Sequence, residues 1–378
     1  MPLLSPLRWA AVILTTTLLV TDTVEETLAQ ARSLRRAGRD AEAVATLEQA
    51  RRTHGPQQNI DALLGTLQLD LGQVGKARAL AAELQQEELS TYRAAVFVGR
   101  FAAQEDGDLD QALAAYRSAA KLHARPLQAL EGLIDIFLSR GQYGKAAKRG
   151  EAILEFDKAL GRNWLGDIYL AQADSIRQGG AEMLPLAANR YRLALQQRPT
   201  DLLIVRKLLE VLLMSIHLDE AAELNAAAFA AADHAAERLF WTGRIHESSK
   251  DIAAARKAYR DSYSLQPQEG TVSLHLARLA LSEGQSETAK TWLTLATTAM
   301  GESPRSLVLM AEVQNGLGDP QSALTCLNRA VAKDSGNAGA HYQLARTLLR
   351  LGQRRQGAEA METFRSLQQA ARPVIDDD

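Results

Sequence analysis

The sequence predicts an all-α protein, an α-solenoid of tandem helix-turn-helix hairpins preceded by a short hydrophobic segment. Three observations carry that expectation. The chain has 378 residues, beyond the size at which a single hydrophobic core stops growing, so its apolar residues must be subdivided. It is 46% apolar but only 5% aromatic, and alanine and leucine outnumber β-branched residues, which favours helix over strand. A small residue also recurs at a nearly constant spacing, and stacked repeats bury a continuous core without separate domains.

The recurrence runs through the chain. Ala43, Ala77, Ala112 and Ala146 follow one another at steps of 34, 35 and 34 residues. Ala187, Ala221, Ala255, Ala289, Ala323 and Gly357 then continue at steps of 34, and only the step from Ala146 to Ala187, at 41, breaks the period. Gly38, Gly72, Gly107, Gly141, Gly284 and Gly318 each stand five residues before their small residue. A glycine there suits the end of a first helix, where the chain turns through the left-handed conformation that penalises a Cβ. The small residue then lies early in a second helix, where two antiparallel helices approach closely only if neither is bulky.

This period, with its small, aromatic and proline positions, resembles the tetratricopeptide repeat. The match is best at Leu165-Gly166, Tyr169, Ala187, Tyr191, Ala194 and Pro199, and again at Gly243, Ala255, Tyr259 and Pro267. Other copies depart from the pattern: tryptophan is mostly missing from the first helix, Asn225 stands for the second-helix aromatic, and Gly357 stands for its alanine. The resemblance covers residues 24–371 in about ten copies and implies a right-handed solenoid that binds other proteins.

Outside the repeats lie two termini and one break in phase. Residues 1–23 form a hydrophobic segment: Trp9 to Val20 is uncharged, Arg8 precedes it, and Asp22, Glu25 and Glu26 follow, as in a secretory signal. The stretch is short for a membrane span, which takes roughly 20 residues, and reaching back to Leu3 includes Pro6 and Arg8. Export or a membrane tether through residues 3–20 is one reading, and a buried cap helix is the other. Residues 372–378 form a polar tail ending in Asp376, Asp377 and Asp378. The break in phase implies an insertion near 172–184, where the first helix runs on through Asp174 and Ile176 before Gly179-Gly180 and Pro185. It reads as a tolerated surface insertion, or as a loop on the binding face.

Composition narrows the chemistry. The formal net charge is −2, from 43 basic and 45 acidic residues, so no bulk field draws nucleic acid or anionic lipid. The single cysteine, Cys326, cannot form an internal disulfide and reads as a buried small hydrophobe. Phosphate-loop, nucleophile-elbow and zinc-protease motifs are missing from the sequence, and Gly75-Lys76 and Gly144-Lys145 lack the rest of a phosphate loop. His246-Glu247 reads as helix surface or inter-repeat packing. The expectation is therefore a protein that is not an enzyme and carries no cofactor and no metal.

Recognition remains. In the family that the chain resembles, the first helices of successive repeats line a groove, with one face spaced i, i+3, i+7 towards the ligand. Numbered from the residue nineteen before each small position, that face holds Ala94, Phe97 and Phe101 in the third repeat, and Leu203, Arg206 and Glu210 in the sixth. It continues with Glu237, Phe240, Arg244; Thr271, Leu274, Arg278; Arg305, Val308, Glu312; and Gly339, Tyr342, Arg346. Two ladders result, one apolar (Phe97, Phe240, Leu274, Val308, Tyr342) and one largely basic (Arg244, Arg278, Arg346), interrupted by Glu312. Together they suit an extended acidic peptide. The alternative is that these arginines pair with glutamates of neighbouring repeats. The family's carboxylate clamp is not reproduced, because Glu210 stands four residues after Arg206 where asparagine is needed. The functional expectation is a non-enzymatic scaffold of a bacterial cell envelope, with a cytoplasmic adaptor as the alternative.

Overall fold

A computed structural model describes residues 24–300 and 303–370. Among the described residues there are twenty α-helices and no strand. The chain forms two compact units divided between Trp164 and Leu165.

The first unit holds α1 (24–36) and α2 (Asp40–His54), α3 (Gln58–Asp70) and α4 (Val74–Gln85), α5 (Tyr92–Phe101) and α6 (Leu109–Leu122), and α7 (Leu127–Ser139) and α8 (Tyr143–Leu154). The boundary falls inside α9 (Lys158–Gln178), which pairs with α10 (Leu184–Gln197). The second unit continues with α11 (Leu202–Met214) and α12 (Leu218–Ala228), α13 (Ala235–Ser248) and α14 (Ile252–Leu265), and α15 (Gly270–Ser282) and α16 (Ser286–Ala299). It ends with α17 (Pro304–Gly316) and α18 (Pro320–Lys333), and α19 (Ala338–Arg350) and α20 (Arg354–Ala370).

The periodic alanines occupy the helix–helix seams. All nine, from Ala43 to Ala323, have no exposed surface. A helix pair that closes over a side chain so completely leaves no room for a larger one. The aromatic four residues on uses the same economy: a Cβ on Gly243 of α13 would stand 2.6 Å from the Tyr259 ring of α14. A Cβ on Gly99 would likewise stand 2.9 Å from the Tyr116 ring, whereas Gly166 faces Arg198.

The turn glycines behave as the pattern predicts, Gly72 having φ 73° and Gly318 φ 80°. Two hairpins depart from it. Ile216 (φ 60°) and Lys250 (φ 68°) take the left-handed position that glycine holds elsewhere. For a β-branched residue this conformation costs roughly 1–2 kcal/mol. Sound helix starts accompany these turns. Asp201 caps α11 by accepting from the Leu203 and Ile204 amides, and Ser303 closes a capping box with Ser306 at α17.

At the break in phase α9 is 21 residues long and includes Asp174 and Ile176, and a 3₁₀ turn (Ala181–Met183) leads into α10. The additional residues thus lengthen a helix. Ile176 joins the core, and Asp174 accepts from the Tyr191 hydroxyl at 2.5 Å and pairs with Lys207. Cys326 is buried against Leu327 and Ala330. No helix among the described residues is long and apolar enough to cross a membrane. The hydrophobic segment 1–23 and the acidic tail 372–378 lie outside the described residues.

Candidate partner-binding cavity

In the second unit the first helices of successive hairpins enclose a cavity of about 560 Å³. Arg206 and Glu210 enter it from α11, Glu237, Phe240, Trp241 and Arg244 from α13, Thr271 and Val272 from α15, and Arg305 and Leu309 from α17. Arg177 at the end of α9, Lys207 and Met300 also line it. Helical periodicity explains the α13 set, because Glu237, Trp241 and Arg244 fall on one stripe and Phe240 stands beside it. Phe240 and Trp241 meet edge to face at 5.4 Å.

Most charges in the wall are matched. Arg206 grips Glu237 with two hydrogen bonds, 2.6 and 2.8 Å long, and the Trp241 indole N–H donates to the same carboxylate at 3.3 Å. Burial works against the Glu237 charge, but these donors outweigh it and hold the carboxyl below its ordinary range. Glu210 is shared by Arg177 at 3.0 Å and Arg305 at 2.6 Å. Arg244 differs: among the described residues its guanidinium makes no ion pair, lying over the Trp241 ring at 5.5 Å and the Phe240 ring at 6.0 Å. Burial pushes its proton affinity down.

Behind the cavity lies a polar network between hairpins. Glu247 accepts from the Tyr259 hydroxyl at 2.7 Å and from Arg278 Nη2 at 2.6 Å, and His275 Nδ1 lies 3.0 Å from it. These partners overcome the burial that opposes ionisation and hold the Glu247 carboxyl down at about 2. Burial pushes His275 down to about 4, against the pull of Glu247, so the imidazole is neutral at pH 7.

The residues expected on the groove face divide into three sets. Arg206, Phe240 and Arg244 converge on the cavity. Arg346 and Tyr342 lie farther along, exposed, with the guanidinium 5.7 Å over the Tyr342 ring, and Arg346 borders a cleft of about 250 Å³ with Glu312, Gln343 and Arg350. Four others, Phe97, Phe101, Leu274 and Arg278, do not offer a free surface. Phe97 and Phe101 are each 1% exposed and Leu274 is 2% exposed, so they are core and not groove lining. Phe97 sinks against Gly65 of the preceding hairpin, where a Cβ would stand 2.3 Å from its ring. Leu274 packs on Ala277, Ala296 and Val313. Arg278 is committed to Glu247, and reaches Glu312 at 3.7 Å. The basic ladder is therefore not a continuous free stripe.

Sequence reasoning passed over Arg177, Lys207, Trp241, Met300 and the pairing of Arg305 with Glu210. Trp241 carried a signal, since it follows Phe240 and stands four residues after Glu237. Arg305 pairs with a residue 95 positions away, and no repeat period announces such a contact. Among the described residues no group of three His, Cys, Asp or Glu side chains is placed to hold a metal.

No curated protein matches the chain in sequence. Tetratricopeptide-repeat signatures match residues 102–160, 236–269 and 309–373. Among solved structures, the APC/C hetero-tetramer Cut9–Hcn1 is 12% identical, with 89% of this chain and 77% of that one covered and a TM-score of 0.45. Tom70 of yeast is likewise 12% identical, with 92% of each chain covered and a TM-score of 0.43. Naa15/Naa10 bound to HypK-THB is 16% identical, covering 91% of this chain and 63% of that one, with a TM-score of 0.36. Nothing about partners follows from likenesses of that size. The matched signatures coincide with a 34-residue period of fully buried alanines and left-handed turn glycines, and those segments of the chain are tetratricopeptide repeats.

Proposed function

We propose that this protein is a non-enzymatic scaffold that holds a partner protein by an extended segment lodged in the cavity of the second unit. Repeats of this family are interaction modules, and their functions lie in the side chains that each member presents. The single observation that carries the reading is the cavity itself. It combines a half-buried aromatic ring, Phe240, backed by the buried Trp241, with an uncommitted cation, Arg244, in a space of about 560 Å³. Apolar surface there favours side-chain burial, and the cation fixes orientation. The exposed pair Tyr342 and Arg346 extends the same contact chemistry towards the C-terminus.

A cell-envelope location is supported by the uncharged stretch from Trp9 to Val20 after Arg8, whether it exports the chain or tethers it. Two experiments test the proposal. A photo-crosslinking residue at Leu203, half-exposed on the cavity rim, should capture the partner, while one at exposed Leu71 in the first unit should not. Equal capture at both positions overturns the cavity reading. Membrane fractionation of a C-terminally tagged chain tests location, and recovery wholly in the cytosol removes the envelope reading while leaving the scaffold intact.

A further inference from the structure

We infer that the cavity receives one singly charged carboxylate, presented beside an apolar or aromatic side chain, and that Arg244 is its receptor. This rests on the cavity's being the partner site, and narrows what the partner must offer.

The argument begins with charge matching. Five cationic side chains line the cavity: Arg177, Arg206, Lys207, Arg244 and Arg305. Glu237 holds Arg206, Glu210 holds Arg177 and Arg305, and Asp174 holds Lys207. Glu269 also lines the wall. Four carboxylates thus stand against five cations among the described residues, and Arg244 is the cation without a partner. Glu247, which lies within electrostatic reach, is already bound by Arg278.

A half-buried guanidinium without a counterion has lost hydration and regained only the attraction of the two ring faces. One carboxylate restores the balance with charge-assisted hydrogen bonds. A phosphate dianion or an acidic run exceeds the surplus and meets Glu237 and Glu269 in a space of restricted dielectric. The surroundings of Arg244 decide the rest. Its planar group lies over Trp241 and Phe240, and Val272 and Leu309 line the same space, so the neighbour of the carboxylate is apolar. The continuous acidic peptide suggested by the arginine spacing is therefore replaced by a single anchoring carboxylate. An aspartate or glutamate side chain and a chain end offer the same chemistry.

The test uses the full chain with nitrogen-labelled arginine, following the Nε–H resonance that disappears in Arg244→Gln. The probes are 3-phenylpropanoate, its neutral amide, and phenyl phosphate. The carboxylate should shift that resonance saturably and bind at least about tenfold more tightly than the amide or the phosphate. Arg244→Gln should lose about tenfold or more, and Arg244→Lys should fall between, with helix content unchanged in both. Absence of a shift with the carboxylate, an equal response to the amide, tighter binding of the phosphate, or undiminished binding by either variant overturns the inference. N-acetylphenylalanine and the blocked dipeptide N-acetyl-Phe-Glu-amide then separate a chain-end carboxylate from a side-chain one, and the tighter of them names the source. Partner capture distinguishes the two levels. If Arg244→Gln still captures the partner while Leu203→Asp does not, the cavity reading stands and the carboxylate receptor falls.

Discussion

Helix α5 of the first unit and helix α13 of the second each place a phenylalanine fifteen residues before the periodic alanine, and the outcomes differ. Phe97 is sealed in the core, while Phe240 is half-buried and borders a cavity. The cause lies in the preceding hairpin. Twelve residues before the periodic alanine stands Gly65 in the first case and Leu209 in the second. Phe97 occupies the space that a side chain on Gly65 would take, whereas Leu209, fully buried, fills that position itself. A repeat position thus becomes core or site according to the volume left by its neighbour, because interiors are packed without spare room.

The largest expected effects break this contrast directly. Phe97→Ala should cost about 3–5 kcal/mol, as truncation of a fully buried aromatic does, and Phe240→Ala only about 1–2 kcal/mol. Gly65→Ala should cost about 2 kcal/mol or more, because the Phe97 ring has nowhere to move. Denaturant midpoints of the variants check all three, and equal costs for Phe97→Ala and Phe240→Ala would remove the contrast.

The polar network of the second unit should make that unit acid-sensitive. The folded state lowers the proton affinity of both groups, His275 to about 4 and Glu247 to about 2. The unfolded chain therefore binds more protons as pH falls, first through the histidine range near 6.5 and then through the carboxyl range near 4.5. Stability conferred by both groups is present at neutral pH and lost on acidification, on the order of 2 kcal/mol for the histidine. Melting temperatures between pH 7 and 4 should decline in the wild type and decline less in His275→Asn. Arg278→Glu should destabilise the same region, because it sets a second carboxylate against Glu247.

Smaller effects sharpen the picture. Ile216→Gly should stabilise the chain by about 0.5–1 kcal/mol, as relief of a left-handed β-branched residue exceeds the added chain entropy. Thermal unfolding would detect it, and a loss of stability would show that Ile216 makes contacts worth more than its strain. Arg206→Gln should be the mildest, about 1 kcal/mol, since its guanidinium is exposed and the glutamine amide can still donate to Glu237.

What the sequence determined by itself was local and periodic. The buried alanines, the turn glycines and the second-helix aromatics follow from helix geometry repeated every 34 residues, and a period can be read without knowing the contacts it serves. The tertiary structure alone decided which members of that pattern are free. Phe97, Phe101 and Leu274 share a face with Phe240 and yet are buried. Arg278 shares one with Arg244 and yet is bound to Glu247, and Arg305 reaches Glu210 across 95 residues of sequence. Burial and charge pairing depend on volume and partners contributed by other hairpins, so a face assigned from one helix cannot reveal them.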